Sequence, residues 1–153
     1  MKKFILLTFF LFFTFSNVLK ADVVKKIQAT GNERISLETI VIFGDIVIGK
    51  NYEISDVNQL IKKLYETTFF QEISVELENN KLSILVKENA IVNEIVFNGE
   101  KAEKYKEKLR EVLSLKEKGS FVESNIKSDV NLVKAFYRAQ GFYFVEIDAQ
   151  IER

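Results

Sequence analysis

The chain has 153 residues, 47% of them hydrophobic and 29% charged, with 22 basic against 22 acidic side chains. This is an ordinary globular mixture, neither disordered nor fibrous. It contains no Cys, His, Pro or Trp. Disulfides, thiol nucleophiles, thiolate metal sites and a lipoprotein signal are thereby excluded, and the usual general base and commonest metal ligand are missing. No Ser-His-Asp triad can form and no glycine-rich phosphate loop is present, so an enzyme is disfavoured and no cofactor or metal is expected.

Met1-Lys2-Lys3, the apolar run Phe4 to Phe15 and Leu19-Lys20-Ala21 ahead of Asp22 read as a secretory signal peptide over residues 1–21. The run is shorter than the ~20 apolar residues that span a bilayer, which favours cleavage over an uncleaved anchor. Cleavage removes Lys2, Lys3 and Lys20, so 19 basic residues of the original 22 face 22 acidic ones, a net charge of −3. No basic field remains to attract nucleic acid.

After the signal, Val23, Val24 and Ile27 form a short strand that stops at the turn pair Gly31-Asn32. Ser36 can cap a helix over Leu37 to Phe43, and Gly44 ends it. Beyond Gly49, Ser55 caps a second helix, in which Val57, Ile61 and Leu64 share a face at i, i+4, i+7 with Leu60 beside them. At Phe70 the period changes to two. Ile73, Val75 and Leu77 alternate with Glu72, Ser74 and Glu76, then Leu82, Ile84 and Val86 follow, and Asn79-Asn80 supplies a turn that tolerates positive φ. The order is strand, helix, helix, strand, strand.

At Ile91 the order restarts. Val92 to Phe97 ends at Asn98-Gly99, an offset of 68 from Val24 and Gly31. A helix follows over Ala102 to Leu115, with Tyr105, Leu109, Val112 and Leu113 on its apolar side. Gly119 answers Gly49, Ser124 answers Ser55, and Ile126, Val130 and Val133 answer Val57, Ile61 and Leu64 at an offset of 69. Phe142, Val145 and Ile147 answer Phe70, Ile73 and Val75 at an offset of 72, so small insertions separate two copies of one module. Phe144 to Ile151 is the second strand of this copy. No third strand follows before Arg153, which points to a fragment of a longer protein or a truncated reading frame.

Gly49 to Tyr52 (Gly-x-x-Tyr), Leu64 to Phe70 entering a strand, Val86-Lys87-Glu88 closing a unit, Ile95 to Gly99, and Phe136 to Tyr143 occur in an order and spacing that resemble POTRA domains. Together they are similar to the N-terminal region of the BamA-type outer-membrane β-barrel assembly factors. The resemblance implies an α+β chain of two tandem POTRA units, 22–89 and 90–153, each a small mixed sheet covered by two helices, the second without its last strand. It also implies a periplasmic string of such units ahead of a C-terminal barrel in the outer membrane. Implied partners are unfolded outer-membrane proteins and accessory lipoproteins. The alternatives are a TamA-like or two-partner-secretion transporter, or a POTRA-containing division scaffold with an uncleaved anchor. Thr68 stands where the pattern usually has Gly, and Ala90 where it often has Pro.

Glu72, Glu76 and Glu78 alternate on one strand and could suggest paired acids or a cation site, but a solvated strand face explains them better. Glu100 and Lys104 read as an i, i+4 pair on a solvated helix side. Phe70 and Phe142 are expected in the core, with Phe69, Tyr143 and Phe144 open between core and client contact. In POTRA domains the second strand is the usual edge. The candidate partner-binding residues are therefore Ile73, Ser74, Val75, Glu76 and Leu77, with Val145, Glu146, Ile147 and Asp148 in the second unit, acting by β-augmentation. The first testable consequence concerns processing: the intact mass of exported protein should correspond to a chain beginning at Asp22. Retention of Met1 in a membrane-bound form would favour the anchor.

Overall fold

The computed structural model describes residues 22–152, and the expected signal segment lies outside them. The first unit comprises β1 (Asp22–Val23), β2 (Lys26–Thr30), α1 (Leu37–Phe43), β3 (Asn51–Tyr52), α2 (Ile54–Glu66), β4 (Phe70–Glu78) and β5 (Lys81–Glu88). The second contains α3 (Glu103–Val112) and α4 (Asn125–Ala139).

The main sheet has the order β2-β5-β4, with β5 parallel to β2 and antiparallel to β4. It is the small mixed sheet expected. Asn79 and Asn80 have φ of 52° and 62°, the backbone of a two-residue turn whose twist suits a hairpin. Asn80 also anchors the start of the chain: its carbonyl accepts from Lys25 N and Lys26 N, and its side-chain amide donates to Val23 O. The helices cover one sheet face, where Leu82, Ile84 and Val86 of β5 are buried against Leu60 and Leu64 of α2 and Ile40 of α1. Ile73, Val75 and Leu77 pack at the margin of this core, half-buried.

Local signals explain the helix ends. Ser36 Oγ accepts from Thr39 N at 3.2 Å and opens α1 as expected. Gly44 closes it in right-handed geometry, while Asp45 takes φ 52°. Glycine is needed at 44 for room, since a Cβ would lie 2.9 Å from Ile40 O. α2 corrects the sequence reading: the N-cap is Glu53, with Ser55 inside the first turn. Asp56 takes over the cap, its Oδ2 accepting from Glu53 N at 3.0 Å while Oδ1 meets Lys50 Nζ at 2.7 Å. A carboxylate there outcompetes a hydroxyl because the helix N-terminus favours negative charge.

The repeat is visible in backbone hydrogen bonds. Val24 donates to Lys50 O and accepts from Gly49 N; Val92 donates to Gly119 O and accepts from Lys118 N. The bridge between Ile91 and Ser120 repeats the pairing of Val23 with Asn51. Gly49 is thus answered by Lys118, which takes φ 61°, and not by Gly119. Thr68, at φ 61°, makes the left-handed turn that Gly141 makes at φ 93°, so the substitution leaves the turn in place. This equivalence pairs Phe142 with Phe69 in place of Phe70.

The second unit departs from expectation in its strands. Val92–Phe97 and Phe144–Ile151 join no ladder. In the first unit both flanking strands pair with β5, and the match of Gly141 to Thr68, an offset of 73, carries Lys81 past position 153, so residues 90–153 do not include a counterpart of β5. Val92 still exchanges hydrogen bonds with Lys118 and Gly119, Ile95 N donates to Glu117 Oε1 at 3.1 Å, and Ile95, Phe97 and Ile147 lean on Leu109, Leu113 and Val133. Phe70 is 3% exposed, whereas Phe142 is 53% exposed, a correction to its expected core place. Its ring stands edge-to-face with that of Tyr137, centroids 6.0 Å apart, and its amide donates to Tyr137 O.

α3 stops at Val112, short of Leu115, because the buried Asp129 of α4 claims the next amides: it accepts from Ser114 N, Ser114 Oγ and Leu115 N at 2.7–2.9 Å. Ser124 holds the N-cap position of α4 with helical dihedrals and no side-chain cap. Glu100 precedes α3 and pairs with no lysine there; it accepts from Tyr137 Oη at 2.5 Å and Ala102 N at 2.6 Å. Burial, then this carboxylate, push the Tyr137 hydroxyl up to about 12.

Two equivalent glycines make the difference between the units measurable. Gly31, at φ +80°, lies so close to β5 that a Cβ would sit 2.0 Å from Val86 O, whereas Gly99, at φ +88°, has nothing within 4 Å. Gly31→Ala should cost more than ~2 kcal/mol in urea denaturation, and Gly99→Ala only the ~1 kcal/mol of a left-handed alanine. Equal losses would contradict the close approach of β5 to Gly31 and the open space at Gly99.

Candidate binding edge

β4 lies at the rim of the sheet because β5 occupies its other side. Its outward face carries Glu72, Ser74, Glu76 and Glu78, opposite Lys87, Leu85, Ser83 and Lys81 of β5. Glu72 and Lys87 form a cross-strand ion pair at 3.0 Å, exposed on both sides and worth a few tenths of a kcal/mol. These acids form a solvated strand face, and the described residues hold no cluster of three or more potential metal ligands.

Register decides which backbone groups are free. Glu78 and Lys81 flank the two-residue turn and so exchange hydrogen bonds, and alternation passes that role to Glu76 with Ser83, Ser74 with Leu85, and Glu72 with Lys87. The N–H and C=O groups of Ile73, Val75 and Leu77 therefore point away from the sheet. The phase has an independent check, since Ile73 N donates to Tyr65 Oη at 3.2 Å. No hydrogen bond is made to the outward groups of Val75 or Leu77 among the described residues.

The five residues expected from sequence thus come together with divided roles. Ile73, Val75 and Leu77 offer backbone outward and side chains to the core; Ser74 and Glu76 bond to β5 and offer side chains to solvent. Val145, Glu146, Ile147 and Asp148 form no strand, for the reason given above. Tyr143 and Phe144 are 69% and 99% exposed, while Phe69 packs edge-on against Phe43 with centroids 5.7 Å apart.

Glu88 holds the far end of β5, a role the sequence reading missed. Its Oε1 accepts from Glu33 N, Arg34 N and Ile35 N at 2.8–2.9 Å. Its Oε2 lies 2.9 Å from Arg34 Nε, an ion pair out of line with that N–H. Asn89, next in sequence, donates from its backbone to Phe69 O and from its side chain to Thr68 O, and accepts from Arg34 Nη2. The turns before α1 and β4 are thereby tied to the end of the central strand. Burial alone would raise the Glu88 carboxyl, but the three amides and Arg34 outweigh it and hold the group below its ordinary 4.5.

A group whose folded value is depressed contributes stability above its unfolded value, lost as pH falls through the folded one. Stability should therefore decline below about pH 4.5, and Glu88→Gln should flatten part of that decline. Glu88→Ala should cost about 1–3 kcal/mol at neutral pH by orphaning amides. Denaturant titrations across pH would check both, and an unchanged acid limb in Glu88→Gln would contradict the assignment.

Residues 90–153 match the family model "POTRA: Surface antigen variable number repeat". The chain is 24% identical over 118 residues to the outer membrane protein assembly factor BamA of Neorickettsia risticii, a match covering 77% of this chain and 16% of that protein's length. The structure is similar to the N-terminal domain of Omp85 from Thermosynechococcus elongatus, with TM-score 0.54, 12% identity and coverage of 79% of this chain and 53% of that one. It is also similar to the first three POTRA units of the periplasmic domain of Omp85 from Anabaena, with TM-score 0.52, 11% identity and coverage of 84% and 55%.

Proposed function

We propose, from the premise that this chain is a POTRA chain of the BamA and Omp85 kind, that it is a periplasmic scaffold presenting a sheet edge to extended segments of unfolded outer-membrane proteins. The free backbone of Val75 and Leu77 carries the reading. An added strand gains main-chain hydrogen bonds there with little demand on sequence, which suits a factor handling many β-rich clients. Accessory lipoproteins could use the same mode, and a C-terminal barrel would hold the scaffold at the outer membrane. Val145, Glu146, Ile147 and Asp148 belong to the proposal as the equivalent edge, operative once a central strand pairs with them. The role asked of the chain is binding and positioning, with no chemistry.

The outward register chooses the test. Titrating a β-strand peptide from an outer-membrane protein into isotope-labelled residues 22–153 should shift amide resonances along β4. Val75→Pro removes an outward N–H and should fold normally by circular dichroism while weakening binding about tenfold. Ser74→Pro, which breaks a bond to β5, should instead destabilise the sheet. Shifts confined to the helices, or full binding by folded Val75→Pro, would sink the proposal.

A further inference from the structure

Tyr65 stands in the last turn of α2, 44% exposed, with its hydroxyl on the Ile73 amide. That amide is the first of three outward ones along β4. Behind it the ladder is irregular, with a register shift between Phe70 and Glu72. Ahead of it, Val75 and Leu77 are free, and the turn at Asn79 closes the strand. The edge therefore has an end that the sheet alone does not impose, built by a side chain from the covering helix.

We propose that Tyr65 acts as a stop on this edge, so that an added strand pairs fully with Val75 and Leu77 and ends before Ile73. The inference rests on the β-augmentation reading and adds length and sequence preference to it. By occupying the Ile73 N–H, Tyr65 denies a longer strand its third pair unless the hydroxyl is displaced. The short ladder also has two chemically different sides. Residues of the added strand opposite Val75 and Leu77 share their half-buried, apolar side, while the residue between them stands beside Glu76 on the acidic outer face. The preferred ligand is a short extended segment with two apolar residues flanking a basic one, and no Pro at the paired positions.

Capped Thr-Val-Lys-Val-Thr, and the same peptide lengthened by two residues at either end, are suitable probes for residues 22–153. Wild type should bind short and long peptides within about twofold of each other. Tyr65→Phe keeps the ring and removes only the hydroxyl, so it should bind the longer peptide roughly fivefold tighter than the shorter, the worth of one added net hydrogen bond. In free Tyr65→Phe the Ile73 amide should exchange faster than in wild type, and become protected on binding the long peptide. A wild-type chain that gains fivefold from the longer peptide overturns the stop, as does an unchanged length ratio in Tyr65→Phe; both leave edge binding standing. Absence of β4 shifts with every peptide and both proteins overturns the edge reading itself, and the stop with it.

Discussion

The structure depends on one pairing constraint: β5, last of its unit in sequence, is the strand with a neighbour on each side. β2 and β4 do not touch as a ladder, so each owes its backbone satisfaction to β5, and the face packed by the helices is completed only when β5 is in place. The second unit demonstrates the same constraint in reverse. Ile95, Phe97 and Ile147 keep their inward lean on α3 and α4 without a ladder, since residues 90–153 include no counterpart of β5 for them to pair with. Edge and centre are thus roles conferred by a partner.

Around that sheet the chain is fastened by carboxylates that accept backbone amides. Glu88 gathers three N–H groups of the loop before α1, Asp129 gathers the amides beyond α3, and Asp56 closes the start of α2. A chain without proline has no ring to stiffen its turns. Here charge-assisted hydrogen bonds do so, while Asp45, Thr68, Asn79, Asn80 and Lys118 accept left-handed backbone. The segment after Glu88 shows the result: Asn89 is tied to the first unit, and Ala90 O accepts from Phe121 N of the second.

What could be read in the sequence follows from how local its cause is. α1 and the β4–β5 hairpin stand where read, because a Ser cap, a change of period and an Asn-Asn turn act within a few residues. α2 was misplaced at its start because three side chains that can cap, Glu53, Ser55 and Asp56, compete within four positions. The strands of the second unit were misread because alternation is local whereas pairing is not. Phe142 was misread with them, because Gly141 matches Thr68 and so the counterpart of Phe142 is the partly buried Phe69, not the buried Phe70. That β4 is an edge came from the resemblance and agrees with the sheet order, in which β2 is the other edge; its outward phase required the turn closure, and the contact of Tyr65 with Ile73 joins a helix end to a strand in a way no periodicity records.

The grip of Asn80 on Val23, Lys25 and Lys26 carries a consequence for the order of assembly. A hairpin closed by two residues forms early, on the microsecond scale, but the segment it clamps lies more than fifty positions upstream. That leading stretch reaches the ribosome exit or a translocation pore long before its parallel neighbour does. Until position 88 has followed it through, the sheet has no centre, so the leading end stays slack. The stretch around Val23 to Lys26 therefore emerges ahead of the hairpin but settles after it.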